Sequence, residues 1–422
     1  MMPAQHGAGQ EAPRPAPWHS LGNGKDVAQR NRDGREEIMR RLPRYVRINT
    51  LKCTFAEAKR ALKETGHVLE VERRVRNEKA WRRHKPDQKT NGRAYKRDKD
   101  VRELLVFRPK GKSDLSRVPL IRSGALIVQQ KASCFPTLAL APPPGAHVID
   151  ACAAPGSKTS HIAALLQNQG VVFAFDRSAQ RLENLRKLVA ARGATCVRPK
   201  VADFMTVDPA DSTYSQVSHI LLDPSCSSSG MSTTATTDPA QLAALVTAQR
   251  AMIRHAMKFP SVSVIVYSTC SVHAVENEEA VDDVIATTSG WKTERVLPWW
   301  HRRGLPSARC AEDVVRTTLE DKTIGFFVGR LIREAKETHH ADERRPAIED
   351  KRKPDGQARM KQLTSATVPI KPTSGELDEQ LDSHNMIAER MPREQVQKRL
   401  PDEHKRKGRR KRKRVVVVQE DC

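Results

Sequence analysis

The first third of the chain shows short, regular patterns of apolar and polar positions. Residues 44–51, RYVRINTL, alternate in a way that predicts a β-strand. Residues 55–66 have the spacing of an amphipathic helix that ends at Gly66. A second short strand is predicted at residues 104–109, LLVFRP. This strand–helix–strand order predicts a small α+β domain over residues 44–130.

The middle of the chain alternates short apolar runs with longer amphipathic segments. Such alternation indicates an α/β domain with a mainly parallel sheet, here a Rossmann-like domain over residues 131–334. Ligands of these sheets bind at the carboxyl ends of the strands. Predicted strands cover residues 146–151, 171–176, 219–224, 263–270 and 325–333, and predicted helices cover 159–167, 179–193, 239–259 and 276–288.

Three segments lack a sustained apolar period. Residues 1–43 are expected to be mostly disordered, with a solvated helix near their end. Residues 72–100 are rich in Lys and Arg and are interpreted as a basic insertion or loop. Residues 335–422 are expected to form a disordered basic tail, which contains KRKGRRKRKR at 405–414.

Composition limits the function classes. The 422 residues carry a formal net charge of +24, and the excess lies outside the nearly neutral residues 141–330, which favours a polyanionic partner such as RNA. We expect no membrane span, because no apolar run reaches the necessary length, and no secretory signal. The eight cysteines form no C-x-x-C pair. We therefore expect free thiols and no metal site.

The loop after the first strand of the middle domain is the first candidate site. Residues 150–158, DACAAPGSK, join a strand to a helix, and their small side chains let a ligand approach the backbone. Asp176 ends the next strand, where doubly wound domains place an acid that binds ribose hydroxyls. The dinucleotide motif G-x-G-x-x-G is absent, so S-adenosylmethionine fits better. The alternative is an ordinary tight turn with a solvated aspartate.

Two cysteines follow two different predicted strands, in DPSC at 223–226 and in YSTCS at 267–271. A single cysteine is usually a small buried apolar residue. Two thiols beside a methyl donor instead suggest methylation of pyrimidine carbon 5, in which a thiolate adds to carbon 6 of an unstacked base. Asp223 could hydrogen bond the N3/N4 edge of that base. The residues alone do not decide whether Cys226 or Cys270 is the nucleophile.

The ordered motifs DACAAPGSKTSH, LLDPSCSSSGM and YSTCSVHAVENEE, with Asp176 among them, resemble those of the Sun-domain RNA cytosine-5 methyltransferases. The segments RYVRINTL and GFFVGRL also look like family landmarks, so the resemblance covers residues 44–332. The branch that methylates large-subunit ribosomal RNA is the most similar, because it has DPSC where DPPC is commoner. SSSG stands where SGSG is usual, so Ser228 is expected to stiffen that loop.

The resemblance implies a role for each matching residue. Cys270 would be the nucleophile, Cys226 would assist product release, and Asp223 would contact both S-adenosylmethionine and the target cytosine. Asp176 would bind the ribose with Arg181 nearby, and Asp203 would approach the adenine. The methionine part of the cofactor would lie against Cys152, Ala153, Ala154, Pro155, Gly156, Ser157 and Lys158.

The resemblance also implies partners and a location. The expected substrate is a cytosine in large-subunit ribosomal RNA or in a pre-ribosomal particle, and the small N-terminal domain would bind RNA. The basic run at 405–414 indicates a nuclear, and specifically nucleolar, location, with nonspecific RNA binding as the alternative. Two other functions stay open: a catalytically idle RNA-binding ribosome-assembly factor, and a DNA cytosine-5 methyltransferase, which would use Cys226.

Overall fold

The computed structural model describes residues 33–34, 36–38, 40, 42–69, 93–108, 115, 118–232 and 238–334. The described residues between 33 and 40 are helical, as expected, but the helix is not wholly solvated, because Ile38 is buried in an apolar core. The disorder expected near the N-terminus, most of the basic segment 72–100 and the basic tail from residue 335 lie outside the described residues.

The N-terminal domain is a five-stranded sheet in the order β2-β3-β4-β1-β5. Its first helix begins at Thr54, where a capping box with Glu57 satisfies the free backbone donors. The chain turns out of this helix at Gly66, whose φ of +79° favours glycine. The elements are β1 (Arg44–Ile48), α1 (Phe55–Glu64), β2 (Val68–Leu69), β3 (Ala94–Arg97), β4 (Leu104–Phe107), α2 (Pro119–Arg122) and β5 (Leu126–Val128).

The structure differs at one end from the loop expected over residues 72–100. Residues Ala94–Arg97 form β3, which pairs with β4 in antiparallel register. Tyr95 is buried, and its ring stacks on Phe107 with the ring centres 5.2 Å apart. Two charged residues follow Tyr95 directly, so the sequence of this strand shows no alternation.

The second domain contains a sheet whose strands follow the order β11-β13-β10-β9-β6-β7-β8, with β12 paired to β13. Strands β6 to β10 are mutually parallel, whereas β13 runs antiparallel to β10. The strands are β6 (His147–Asp150), β7 (Val171–Asp176), β8 (Val197–Val201), β9 (Val217–Leu222), β10 (Val264–Thr269), β11 (Trp291–Glu294), β12 (Val315–Thr317) and β13 (Phe326–Arg333).

Helices cover both faces of this sheet, as the α/β pattern predicts. One apolar core includes Phe135, Ile162 and Leu185, and the other includes Ile253 and Val281. The helices are α3 (Lys131–Leu140), α4 (Ser157–Leu165), α5 (Ala179–Ala191), α6 (Pro239–Ala256) and α7 (Glu278–Thr287), with short 3-10 helices at Phe204–Thr206, Ser212–Tyr214, Ser229–Met231, Ala274–Glu276 and Leu319–Asp321.

Buried polar side chains join the N-terminal sheet to the second domain. Arg47 is 1% exposed and donates to Gln129 Oε1 at 2.7 Å and to Ser160 Oγ at 3.3 Å. The Asn49 amide, which is also buried, donates to the carbonyl of Arg192 at 2.7 Å. Because buried polar groups are costly without partners, these bonds fix the two sheets to each other.

Candidate active site

A cavity of about 810 Å³ opens where the carboxyl ends of the parallel strands meet. This is the edge at which Rossmann-like domains bind ligands. Among the residues predicted from the sequence, those lining the cavity are Cys152, Ala154, Pro155, Asp176, Arg181, Asp203, Asp223, Cys226 and Cys270. The other predicted loop residues, Ala153, Gly156, Ser157 and Lys158, lie outside this lining set.

A buried carboxyl group holds the start of the loop after β6. Asp150 is buried at the end of β6, and Thr159 Oγ1 donates to its carboxylate at 2.7 Å. Burial raises the pKa of Asp150 to about 7. Gly156 precedes α4 with a φ of +112°, and a Cβ there would lie 3.2 Å from Leu185 Cγ. The glycine therefore allows the loop to pack closely against α5.

Acidic residues end the next two strands. Asp176, at the end of β7, is 4% exposed and accepts from the Ser178 amide at 2.9 Å. Arg181 lies 3.6 Å from the Asp176 carboxylate and also donates to the carbonyl of Ala154. Asp203 follows β8 and accepts from the backbone of the next 3-10 helix. Both carboxylates line the cavity.

Asp223 follows β9 and is held from two sides. The Lys158 ammonium lies 2.8 Å from its Oδ2 atom, and Ser268 Oγ donates to its Oδ1 atom at 2.8 Å. Lys158 is therefore placed beside Asp223, in the first turn of α4, and not on the cavity wall. The contact from Ser268 was not among the sequence predictions.

The two cysteine sulfurs meet over the cavity. The distance from Cys226 Sγ to Cys270 Sγ is 3.3 Å, although the residues follow different strands. Cys226 is half-buried and Cys270 is 5% exposed. Contact with the Cys226 thiol and burial raise the pKa of the Cys270 thiol well above its usual value. Asp223 lines the same cavity, so two thiols and one carboxylate face a shared space.

The sequence matches two family descriptions in order along the chain. Residues 42–129 match "NOL1/NOP2/Sun domain family member 5, ferredoxin-like domain", and residues 137–331 match "16S rRNA methyltransferase RsmB/F". A Caenorhabditis elegans 26S rRNA (cytosine-C(5))-methyltransferase is 35% identical over 319 residues, which are 73% of this chain and 71% of that protein. The chain belongs to the Sun-domain RNA cytosine-5 methyltransferase family.

Other Sun-domain relatives give the same assignment. A mouse 28S rRNA (cytosine-C(5))-methyltransferase is 43% identical over 313 residues, and these cover 71% of this chain. A fission yeast 25S rRNA (cytosine-C(5))-methyltransferase is 36% identical over 310 residues, or 69% of this chain. The chain spans slightly less than two thirds of these two relatives, 65% and 63%.

Solved structures share the Sun-domain fold. A methyltransferase homologue from Pyrococcus horikoshii superposes with a TM-score of 0.57 at 24% identity, covering 71% of this chain and 89% of that one. NSun6 from the same organism, solved with SFG, gives a TM-score of 0.55 at 22% identity, with 74% and 95% coverage. The fold is therefore that of an α/β methyltransferase domain preceded by a ferredoxin-like domain.

Sequence reasoning gave no role to a buried carboxylate behind the Sun-domain cysteines. Glu276 is fully buried and accepts from the amide of Ser227 at 2.9 Å, from its hydroxyl at 2.6 Å and from Gln249 Nε2 at 3.0 Å. It thereby holds the residue next to Cys226. Glu276 lies in the acidic run ENEE, which the sequence pattern assigned to the start of a helix.

Four cysteines away from the cavity are buried, as is usual for a single cysteine: Cys53, Cys134, Cys196 and Cys310. In the part of the chain that the structure describes, no group of three or more His, Cys, Asp or Glu residues could hold a metal ion. Within that same part, every helix is too short or too polar to cross a membrane.

Proposed function

We propose that this protein methylates carbon 5 of a cytosine in large-subunit ribosomal RNA, with S-adenosylmethionine as the methyl donor. The observation that carries the proposal is the 3.3 Å approach of Cys226 to Cys270 over a cavity that Asp223 also lines. Methylation of carbon 5 needs a nucleophile and a release step at one ring, and two adjacent thiols can serve both. The relatives' names support RNA as the substrate.

The cavity suits the cofactor. Its volume is in the range of small-molecule sites. Asp176 can accept from ribose hydroxyls, and Ala154 and Pro155 of the loop after β6 line the cavity with small or apolar side chains. When bound, S-adenosylmethionine supplies a methyl group on a positively charged sulfur. The archaeal structure of similar fold was solved with SFG, an analogue of S-adenosylmethionine, which supports S-adenosylmethionine as the cofactor. Asp203 would face the adenine, as the family resemblance implies.

Three residues of this chain act in different steps of the proposed reaction. The Cys270 thiolate adds to carbon 6 of the cytosine, which makes carbon 5 nucleophilic. Asp223, held by Lys158 and Ser268, hydrogen bonds the N3/N4 edge of the base. Carbon 5 forms its new bond to the methyl group in place of the donor's sulfur. Cys226 acts in the release step, in which a general base takes the proton from carbon 5, the electron pair restores the double bond between carbons 5 and 6, and Cys270 leaves as a thiolate. The base must be unstacked, because the thiol reaches the ring edge only outside the helix.

Transfer of a radiolabelled methyl group to large-subunit ribosomal RNA tests this function. The wild-type protein should label the RNA, and Cys270→Ala should give neither label nor adduct. Cys226→Ala should trap a covalent protein–RNA adduct that survives a denaturing gel. The opposite pattern, with the adduct trapped by Cys270→Ala, would reverse the roles of the cysteines.

Two other functions give different results in the same assay. An idle ribosome-assembly factor would leave the RNA unlabelled, and the pair of thiols beside Asp223 argues against it. A DNA methyltransferase would label duplex DNA and lose activity chiefly with Cys226→Ala. Bisulfite sequencing of ribosomal RNA from cells that lack the protein would identify the cytosine.

The basic flanks of the chain belong to RNA binding and location in this proposal. Lys and Arg side chains that neutralise phosphates make affinity strong and salt-dependent. The run at 405–414 would direct the protein to the nucleolus. Deleting residues 335–422 should therefore preserve methylation of free RNA but disperse the protein in cells. A truncated protein that is inactive on free RNA would contradict this division.

A further inference from the structure

Ser228 has a backbone conformation that is unusual for its residue type. Its φ of +55° and ψ of +20° lie in the left-handed region, which residues with a Cβ rarely adopt. The residue sits two positions after Cys226 and directly before the 3-10 helix Ser229–Met231. Such a conformation persists only when the surrounding structure determines it.

Hydrogen bonds of the residues that follow Ser228 hold its backbone in this left-handed conformation. The Gly230 amide donates to the carbonyl of Cys270 at 2.9 Å, and the Val272 amide donates to Ser229 Oγ at 3.0 Å. These bonds tie the loop after β9 to the loop after β10. The turn therefore faces Cys270, and Ser228 Oγ lies 3.5 Å from Cys270 Sγ.

A hydroxyl at this position can serve both protonation states of the thiol. The Cys270 S–H can donate to Ser228 Oγ, and after deprotonation the rotating hydroxyl can donate to the thiolate. Hydrogen bonds to a charged group are the stronger kind, so this contact favours the thiolate. Burial and the nearby Cys226 thiol act in the opposite direction, and the hydrogen bond with Ser228 lowers the pKa of Cys270 against them.

We propose that Ser228 is a catalytic residue whose hydroxyl donates a hydrogen bond to the Cys270 thiolate and so increases the supply of nucleophile. The proposal rests on the proposed function, because it deepens the role given there to Cys270. The competing explanation is that Ser228 only fills the turn, in which case its backbone matters and its hydroxyl does not.

Two substitutions separate the hydroxyl from the backbone. Ser228→Ala removes the hydroxyl but keeps the Cβ in the left-handed region. Ser228→Gly removes the hydroxyl and also the strain, so this variant folds even if the alanine does not. Ser212→Ala is the control, because Ser212 is exposed and does not line the cavity.

The first measurement uses the full-length protein without RNA. Alkylation of Cys270 by iodoacetamide is followed by mass spectrometry of its peptide, from neutral to alkaline pH. Both Ser228 variants should be alkylated about tenfold more slowly than wild type at neutral pH, as expected for the loss of one hydrogen bond to a charged group. Ser212→Ala should follow wild type. Wild-type alkylation in either Ser228 variant would overturn the proposal.

The second measurement uses RNA. Combined with Cys226→Ala, both Ser228 variants should accumulate the covalent adduct about tenfold more slowly than Cys226→Ala alone. An unchanged rate of adduct formation would overturn the catalytic role. If the wild-type protein transfers no methyl group but the alkylation difference is found, the proposed function fails while the contact between the hydroxyl and the thiolate stands.

Discussion

The Lys158 ammonium lies 2.8 Å from the Asp223 carboxylate and joins the loop after β6 to the loop after β9. These two loops carry the predicted cofactor segment and one of the two cysteines. A single ion pair, mostly shielded from solvent, thus connects the cofactor side of the cavity to the base side. Changes in either partner should therefore affect both catalysis and stability.

The first prediction concerns this ion pair. Asp223→Asn keeps the shape of the side chain and an oxygen for Ser268, but it removes the negative charge that faces the base. We expect single-turnover methylation to fall at least about 100-fold, as is typical when a positioned acid–base group is lost. Lys158→Met should also reduce the rate, because the Asp223 carboxylate loses the ammonium group that orients it.

An ion pair outside the site provides the control. Arg254 lies 2.6 Å from Asp283, and both side chains are more than one third exposed. Because exposed pairs contribute little, Arg254→Met should leave the single-turnover rate within about twofold of wild type. If the activity of Asp223→Asn fell only in proportion to its loss of folded protein in a urea titration, Asp223 would act only through stability.

The second prediction concerns the buried carboxyl of Asp150. Its pKa rises from 3.8 to about 7 on folding, because burial disfavours the charged form. The folded protein thus binds the proton more tightly than the unfolded chain does. The stability from this group is fully present below about pH 4 and is lost as the pH rises through about 7.

Asp150→Asn removes this dependence. We expect the free energy of unfolding of the variant, relative to wild type, to increase by roughly 3 kcal/mol between about pH 5 and about pH 8 in urea titrations. Asp211→Asn serves as the control: hydrogen bonds with Thr213 lower the pKa of Asp211, so its difference from wild type should stay flat in this range. A flat Asp150→Asn difference would mean that the carboxyl is ionised throughout.

The third prediction concerns Glu276, which accepts three hydrogen bonds in a buried position. Glu276→Ala leaves the Ser227 amide without its acceptor and removes one acceptor each from the Ser227 hydroxyl and from Gln249 Nε2. We expect it to lower the free energy of unfolding by about 3 kcal/mol. Glu276→Gln keeps one acceptor oxygen and should lose about half as much.

The same variants should affect the release step, because Ser227 is adjacent to Cys226. In a pulse-chase experiment with labelled RNA, the covalent adduct should persist longer in Glu276→Gln than in wild type. Slower formation of the adduct with normal release would instead place the effect of Glu276 on the Cys270 side.

The fourth prediction compares two glycines. Gly230 has no left-handed backbone, but a Cβ there would collide with the carbonyl oxygen of Gly325. Gly290 has a φ of +77°, and a Cβ at that position would have no neighbouring atom within 4 Å. Gly230→Ala should therefore push the loop after β9 away from the segment before β13 and abolish methylation. Gly290→Ala should cost about 1 kcal/mol of stability and preserve the methylation rate. Full activity in Gly230→Ala would show that the close approach is dispensable.

The strand ends of the active site were predictable from the sequence, because apolar runs followed by Asp or Cys recur in a domain whose parallel strands end at one edge. Asp176, Asp223, Cys226 and Cys270 line one cavity for this reason. The pairing of Lys158 with Asp223 was not predictable, since it depends on how the first turn of α4 lies against the next loop.

Several elements were missed, and two of them show the physical reasons. The helix Lys131–Leu140 is buried along nearly its whole length, so it has no polar stripe to give a period. The strand Val197–Val201 contains Pro199 between Arg and Lys and lies at the end of the sheet, where proline and charge are tolerated. Full burial of this helix and the edge position of this strand are known only once the sheet has been assembled, so neither can be recognised from the local sequence.

The strand Phe326–Arg333 is the last described strand in the chain, yet it lies between β10 and β11 within the sheet. The amide of Gly325, just before this strand, donates to the carbonyl of Gly230 in the loop after β9, which carries Cys226. During translation, both thiols and every acidic group of the cavity emerge from the ribosome before this strand does. A nascent chain that has emerged only to residue 325 therefore holds both thiols and these acidic groups without the strand that lies between β10 and β11.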